Sequence, residues 1–328
     1  MQGYFTVLQQ DDAKLTKAGL WLIMQQRHGE MIDQLLVKKV VDSLVSLGID
    51  PKDPDVECLD VYKEHFETPF VVGTEQYYKR ESRMFLAEKS VSDYLKQAED
   101  RLREEEDRVD RYLHTSTRNE FITKCEHVLI TEHAELLWEN FQPLLDCGEV
   151  DDLQRIYALL SRMPEYLEPL WKHFEAHVKQ AGLLVISKLV GEDGNTDSLD
   201  PKAYVDALVK VHRKNSKIVS GGFEGDAGFA ASLDKACREF VNRNAATVTS
   251  STKSAELIAK HADMLLRMGL KVAEEDDIES ELNRVVRILF PRSNCFFSAI
   301  VDDSLPVSRR QGCLPGFLHN IFFEAHDP

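Results

Sequence analysis

The sequence predicts an all-α protein, built as an elongated array of helical bundles that resembles an α-solenoid. Apolar residues recur at three- and four-residue steps along most of the chain, which is the period of a helix buried on one face. Only 16 glycines and 11 prolines interrupt 328 residues, and no run alternates between apolar and polar residues as a half-buried strand does. Successive amphipathic helices favour stacked bundles.

Eleven helical segments follow from this periodicity. In the fourth, Tyr94, Leu95, Ala98 and Leu102 form an apolar stripe, whereas 104–107 reads as a solvated charged face. The predicted segments are 11–27, 30–47, 57–88, 91–113, 117–146, 150–161, 165–190, 201–219, 226–245, 253–269 and 277–290. The stripes place five residues in the core: Leu102, Leu129, Phe174, Phe229 and Leu233.

Turn-forming residues separate several of these segments. Glycine and proline mark breaks at 48–54, 191–195 and 221–228. Asp200-Pro201 places a proline in a first helical turn, where its missing N–H costs nothing. Three serines are candidate helix caps: Ser116, Ser198 and Ser254.

Charge and composition exclude two classes of partner. Acidic residues number 56 against 40 basic ones, so the net charge of -16 lacks the basic footprint of a nucleic-acid binder. The acidity favours solubility, and the alternative is a surface that attracts a basic partner. We find no secretory signal, and no apolar run reaches the length of a bilayer-spanning helix. We therefore expect neither a nucleic-acid nor a membrane partner.

The six cysteines indicate a reducing compartment. They are widely spaced, without a Cys-x-x-Cys pair, and most lie in helical patterns, where a free thiol behaves as a small hydrophobe. We expect a soluble, intracellular protein of the cytoplasm and nucleus.

The sequence contains no pattern that assigns a catalytic, cofactor-binding or metal-binding residue. His173 and His177 share a helix face, at the spacing of a metal-binding pair. The order His-Phe-Glu-Ala-His departs from the zinc-protease pattern, however, and this departure favours surface or interhelical histidines. The glycine-rich stretch 221–228 lacks the Lys-Ser or Lys-Thr of a phosphate loop and favours an interhelical turn. Two pairs of acids are candidates for acid–base catalysis, but charged residues at such positions usually lie on solvated faces, which is the interpretation we favour: Glu64 with Glu67, and Asp151 with Asp152.

Six aromatic residues at helical spacing favour core packing, whereas an exposed one would indicate an interface. They are Trp21, Trp138, Trp171, Tyr77, Tyr78 and Tyr157.

Several stretches resemble the amino-terminal stalk of cullins, and most closely that of the cullin that serves F-box substrate receptors. The resemblance runs in order from about residue 15 to residue 290. Its most specific part is Asp226-Ala227-Gly228-Phe229, with Leu233-Asp234-Lys235-Ala236-Cys237 and Phe240 to Ala245. Further similar stretches are Val61 to Glu67, Tyr77 to Ser82, Glu99 to Val109, Tyr112 to His114, and Asp151 to Tyr157.

The resemblance implies a scaffold role. Cullin stalks are rows of five-helix cullin repeats, with an F-box adaptor at the amino-terminal tip and a RING subunit on a carboxy-terminal globular domain. It implies a non-catalytic scaffold fragment of an SCF-type ubiquitin ligase, active in ubiquitin-dependent protein catabolism. The alternative is a helical-rod tethering or trafficking adaptor, which a lipid- or GTPase-binding basic patch would favour.

Three regions follow from the resemblance. We expect 1–55 to be a remnant of the first cullin repeat, 56–290 to hold the second and third repeats, and 291–328 to lie outside the family pattern. The adaptor-binding helices and the globular domain fall outside the stretch that the resemblance covers. We therefore expect the isolated chain to bind an F-box adaptor weakly and to support no ubiquitin transfer with added RING subunit.

We hypothesise that the last region, 291–328, is translated from the wrong reading frame of a cullin gene. In the family, the helix that corresponds to 278–290 leads to a stretch resembling Asp-Lys-Asp-Val-Phe-Gln. Residues 310–315 read Arg-Gln-Gly-Cys-Leu-Pro, and the codons CGA-CAA-GGA-TGT-CTT-CCA encode them. Read one nucleotide later, with the G that opens the codon of Gly316, the same bases give GAC-AAG-GAT-GTC-TTC-CAG, which encodes the family stretch.

The frameshift hypothesis makes a direct prediction about the transcript. The nucleotide sequence over 310–319 should read through in the shifted frame and encode Asp-Lys-Asp-Val-Phe-Gln, followed shortly by Phe-Tyr. Under this hypothesis, a retained intron or a missed splice site between about residues 290 and 310 would explain the change of reading frame. Sequencing the genomic DNA and the cDNA checks this, and a stop codon in the shifted frame would rule the hypothesis out.

Overall fold

Every regular element among the described residues is helical, as the sequence predicts. The computed structural model of the chain describes residues 14–48, 58–191, 198–248, 250 and 252–272, with side chains through 264. Its α-helices are α1 (Lys14–Arg27), α2 (Gln34–Ser46), α3 (Asp60–Tyr62), α4 (Thr68–Glu88), α5 (Val91–Tyr112), α6 (Thr117–Leu129), α7 (Ala134–Cys147), α8 (Val150–Leu160), α9 (Glu168–Val190), α10 (Pro201–Gly222), α11 (Ala227–Asn242) and α12 (Lys253–Val272). A π-helical turn spans Lys63–Glu67, and 3₁₀ turns span Thr131–His133, Pro164–Tyr166 and Ala245–Thr247.

The segment predicted as one helix over 57–88 contains a π-helical turn between α3 and α4. Pro69, in the first turn of α4, has no N–H to donate to the carbonyl of His65. The hydroxyl of Thr16, from α1, donates to that carbonyl instead. A tertiary contact therefore satisfies the acceptor that proline leaves free, and the helix axis continues past it.

The segment predicted as one helix over 117–146 is interrupted at Ile130, which is fully buried. The carbonyl of Leu129, at the end of α6, accepts a hydrogen bond of 2.8 Å from the hydroxyl of Tyr94 in α5. A helix end needs such partners for its last carbonyls. The partner lies 35 residues away in sequence, so the local pattern could not indicate the break.

Helix capping follows the predictions only in part. Asp200 caps α10 through two backbone N–H groups of its first turn, with Pro201 at the first position. Ser116 precedes α6 but makes no capping hydrogen bond. The two other serine predictions are wrong: Ser198 lies ahead of the actual cap, and Ser254 is buried within α12, where its hydroxyl pairs with that of Tyr204 at 2.8 Å.

The chain forms two compact units. Among the described residues, unit 1 comprises those up to 140 together with 158–163, and unit 2 comprises 141–157 together with those from 164 to 272. The predicted regional boundaries at 55 and 290 lie outside the described residues, as do the predicted helix 277–290 and the region 291–328. The three-region division therefore stays a prediction.

The predicted core residues are confirmed in both units. Leu102 and Leu129 are at most 2% exposed in unit 1. Phe174, Phe229 and Leu233 are at most 4% exposed in unit 2. The phase of the helical stripes was therefore predicted correctly at these positions.

Close packing of α9 against α11 in unit 2 depends on a glycine. A Cβ atom added to Gly182 of α9 would lie 2.4 Å from Cγ of Phe240 in α11, far inside van der Waals contact. Phe240 is fully buried, so its ring has little room to move. The two helix backbones approach this closely because Gly182 has no side chain.

We expect Gly182→Ala to destabilise unit 2 by roughly 1–3 kcal/mol through overpacking, despite the better helix propensity of alanine. Chemical denaturation followed by circular dichroism measures this. The matched control is Gly221→Ala in α10, where an added Cβ meets no atom within 4 Å. That variant should be neutral or stabilising, and equal behaviour of the two variants would contradict the packing argument.

Candidate functional site

The most strongly perturbed ionisable groups lie together in the core of unit 1. We name Arg27, Tyr78, Glu105 and Arg108 the unit 1 charge cluster. Glu105 is fully buried, and Arg27 and Arg108 are 6% and 4% exposed. The sequence interpretation of 104–107 as a solvated face is therefore wrong at Glu105, although its spacing of three residues from Leu102 does place it on the apolar stripe.

One carboxylate oxygen gathers three donors from three helices. Oε1 of Glu105 accepts from Nε of Arg27 at 2.8 Å and from Nη1 of Arg108 at 2.6 Å. It also accepts from the hydroxyl of Tyr78. These contacts tie α5, which carries Glu105 and Arg108, to α1 and α4.

Arg27 is held by further contacts around its guanidinium group. Nη2 donates to the hydroxyl of Thr74 at 2.7 Å. The central carbon lies 5.6, 5.3 and 5.4 Å from the ring centroids of Phe70, Tyr77 and Tyr78, which is the range of cation–π contact. A buried cation needs such compensation, because removing its hydration is costly.

The local charges fix the protonation of the cluster. Burial alone would raise the pKa of Glu105, but Arg27 and Arg108 outweigh it and hold that pKa below its usual range. Burial alone would lower the pKa of Arg27, yet the Glu105 carboxylate leaves it raised. Burial and then Glu105 raise the pKa of Tyr78 well above its usual value. The cluster therefore holds an ionised carboxylate, charged arginines and a neutral phenol.

Perturbed pKa values often mark catalytic residues, but this arrangement fits a structural role better. Glu105 has no exposed surface, and its Oε1 is already occupied by three donors. Its Oε2 is buried without a hydrogen-bond partner among the described residues. A substrate has no route to either oxygen. The role that the cluster fits is therefore structural: it holds α1, α4 and α5 together.

His173 and His177, which have the spacing of a metal-binding pair, lie in different environments. His173 is exposed, whereas the side chain of His177 is 10% exposed. Nδ1 of His177 lies 3.1 Å from the Asp146 carboxylate and 3.0 Å from the Gln142 amide, both from α7. Burial lowers the pKa of His177, with Asp146 opposing. The described residues contain no group of three or more His, Cys, Asp or Glu side chains arranged for a metal ion.

The glycine-rich stretch 221–228 is an interhelical turn, as predicted. It connects α10 to α11, and Gly225 adopts φ of 75°, a conformation that favours glycine. Oδ1 of Asp226 accepts from the N–H groups of Gly228 and Phe229 at 2.9 and 3.0 Å, and from Nε1 of Trp171 at 3.1 Å. Asp226, one of the two acids in this turn, is therefore the cap of α11.

In each of the two candidate acid–base pairs, one acid is exposed and the other is buried. Glu64 is exposed, whereas Glu67 is 8% exposed. Asp151 is exposed, and Asp152 is buried beside Arg155, whose Nη1 lies 2.8 Å from its Oδ1. Neither arrangement presents two facing carboxylates.

The aromatic residues divide between core and surface. Tyr77 and Tyr78 are buried in unit 1, and Trp138, Trp171 and Tyr157 are half-buried. Trp21 is 59% exposed on α1, so the prediction of core packing is wrong there. Helical spacing alone does not distinguish an apolar residue that faces solvent from one that faces the core.

None of the helices in the described part of the chain combines the length and apolar character that a bilayer-spanning segment needs.

Comparison with known proteins identifies the family. The family model described as the cullin alpha solenoid domain matches residues 4–290. The chain is 44% identical over 284 residues to Cullin-1 of Dictyostelium discoideum, covering 86% of this chain and 36% of that protein. It is 40% identical over 269 residues to Cullin-1 of Schizosaccharomyces pombe, covering 82% and 35%. With Cullin-1 of Caenorhabditis elegans it shares 37% identity over 289 residues, covering 84% and 36%.

The chain thus spans 36% of the length of the first of these relatives, and similar shares of the others. The matched region contains every helix described above, including the charge cluster of unit 1 and the glycine-rich turn of unit 2. The fold, the helical elements and these matches agree: the chain belongs to the cullin family.

Proposed function

We propose that this chain is a stalk section of the scaffold of an SCF-type cullin-RING ubiquitin ligase, acting in ubiquitin-dependent protein catabolism. The observation that carries the proposal is the match to the cullin α-solenoid over 4–290 together with 44% identity to a Cullin-1. In this role the complete protein holds an F-box adaptor and a RING subunit, and the chain described here contributes helices that fix their separation.

The proposed role is positioning rather than catalysis. Its physical benefit is a higher effective concentration of the substrate lysine near the activated ubiquitin. The unit 1 charge cluster supports this proposal, because the groups with shifted pKa values are buried and hydrogen-bonded to one another between α1, α4 and α5. Stiff helical units suit a protein that must keep two partners at a set distance.

The proposed location is the cytoplasm and nucleus, where ubiquitin ligases of this type would meet their substrates. The four cysteines in the described part of the chain, Cys58, Cys125, Cys147 and Cys237, are free thiols. Free thiols accord with a reducing compartment.

Affinity purification of the full-length gene product, followed by mass spectrometry, tests the proposal. Recovery of a RING protein and an F-box adaptor at near-equal amounts is the expected result. Recovery of membrane-tethering subunits without a RING protein would instead favour the alternative of a trafficking adaptor.

A further inference from the structure

One face of α4 in unit 1 carries exposed apolar and cationic side chains in a row. We name Val72, Gln76, Arg80, Arg83 and Met84 the α4 stripe. Val72 and Met84 are 46% and 61% exposed. Positions 72, 76, 80 and 84 repeat every four residues and so share a helix face, and Arg83 lies beside them. Lys79 and four members of the stripe line a groove of about 450 Å³.

The positive charge of this stripe is not neutralised within the described part of the chain. Lys79, at its edge, pairs with Glu75 at 2.8 Å and with Glu132 at 2.9 Å. Arg80 and Arg83 form no ion pair with any described residue, and both are exposed. The chain as a whole has a net charge of -16, so two exposed arginines without an ion-pair partner among the described residues are opposite in sign to the protein's overall charge.

Exposed arginines on the neighbouring helix α5 differ because they form ion pairs with acids of the same helix. Arg103 lies 3.0 Å from Glu99, and Arg111 lies 3.1 Å from Asp107. Each is neutralised by an acid of its own helix, at the spacing that stabilises helices. Arg80 and Arg83, in contrast, do not stabilise their own helix through such ion pairs.

We propose that the α4 stripe docks an acidic amphipathic helix of a partner protein. The inference goes beyond the scaffold role and does not depend on it. Charge complementarity selects an acidic occupant for Arg80 and Arg83, and the exposed Val72 and Met84 supply an apolar contact at each end. Docking covers the two apolar side chains and pairs the two guanidinium groups.

The length of the stripe defines the occupant. Val72 and Met84 are separated by twelve residues, which corresponds to about 18 Å along a helix. A helix of about four turns, with apolar anchors about 18 Å apart and carboxylates between them, matches that pattern. A nucleic acid or an anionic membrane would extend beyond the stripe, and a chain with 56 acidic residues against 40 basic ones would repel either.

A designed peptide tests the proposal. The probe is a fluorescein-labelled helical peptide of about 16 residues, with leucines about 18 Å apart and glutamates between them. Fluorescence anisotropy with the whole chain should show saturable binding that weakens as salt rises. Arg80→Glu combined with Arg83→Glu should weaken it by at least about tenfold.

The matched control is Arg103→Glu combined with Arg111→Glu, which makes the same charge change on exposed positions of α5. That variant should bind the acidic peptide as the unchanged chain does, and circular dichroism should show that both variants remain folded. Four results would each overturn the proposal: no saturable binding, equal binding of a peptide with lysines in place of the glutamates, equal losses in the two variants, or tighter binding to anionic vesicles or single-stranded DNA.

Discussion

Glu105→Gln is expected to destabilise unit 1 by roughly 3–5 kcal/mol, which is the cost of leaving a buried cation without its anion. Glutamine keeps the shape of the side chain but removes its charge. Arg108 retains a second carboxylate, since its Nη2 lies 3.2 Å from Glu104. Arg27 has only Glu105 as an ion-pair partner among the described residues, so its charge is left buried in the core.

Urea unfolding gives the free-energy change, and hydrogen exchange resolved by peptide locates it. Amides of α1, α4 and α5 should lose protection. The control is Asp107→Asn on the same helix, which breaks an exposed pair with Arg111 and should cost less than about 1 kcal/mol. If both variants cost the same, the cluster contributes nothing beyond a surface ion pair.

The same cluster predicts a pH dependence. Arg27 and Arg108 hold the pKa of Glu105 below its ordinary value, against the effect of burial. The stabilisation is therefore fully present above the unfolded-state pKa of about 4.3 and is lost as the pH falls through the lower folded-state pKa. The stability difference between the unchanged chain and Glu105→Gln should be constant above about pH 5 and should shrink below about pH 4. A difference that grows on acidification would contradict the assignment of an ionised carboxylate.

Phe229→Ala is expected to destabilise unit 2 by roughly 3–5 kcal/mol, because it opens a cavity in an aromatic core. Phe229, in α11, stacks on Phe223 with ring centroids 3.8 Å apart. Phe174 meets both rings edge-on, at centroid distances of 5.5 and 5.7 Å. Phe141 and Tyr157 complete the cluster, which the turn at 221–228 assembles by folding Phe229 back onto Phe223.

Chemical denaturation and hydrogen exchange again measure the effect, and protection should fall in α9, α10 and α11. The control is Leu184→Ala in α9, whose side chain is 53% exposed and which should cost less than about 1 kcal/mol. A loss below about 1 kcal/mol for Phe229→Ala would show that the stacked rings contribute little to the stability of unit 2.

The sequence pattern predicted the helices better than their interruptions. Apolar spacing placed Leu102 and Phe174 correctly, because the helical period depends only on neighbours along the chain. The break at Ile130 and the π-helical turn before α4 depend on Tyr94 and Thr16, which approach from other helices. Contacts of this kind have no signature in a single sequence.

At the candidate site, the sequence pattern failed to predict that the charged residue Glu105 is buried. Glu105 lies among consecutive acids, and such a run usually faces solvent, so composition alone argued for exposure. The apolar stripe through Leu102 and Val109 instead predicts that Glu105 is buried. Burial is tolerated because Arg27 on α1 compensates the charge of the carboxylate. The exposure of Trp21 is the converse error, since an aromatic residue on a helical stripe can also face outward.

The proposed non-catalytic scaffold role is tested most directly by comparing two reactions of a ligase complex reconstituted with the full-length protein. One is ubiquitin transfer from the charged conjugating enzyme to free lysine, and the other is transfer to a substrate held by the receptor. In a full-length protein that lacks the region corresponding to 14–264, transfer to free lysine should keep its rate while transfer to the held substrate is lost. A proportional fall in transfer to free lysine would show that the helical region takes part in the chemistry itself.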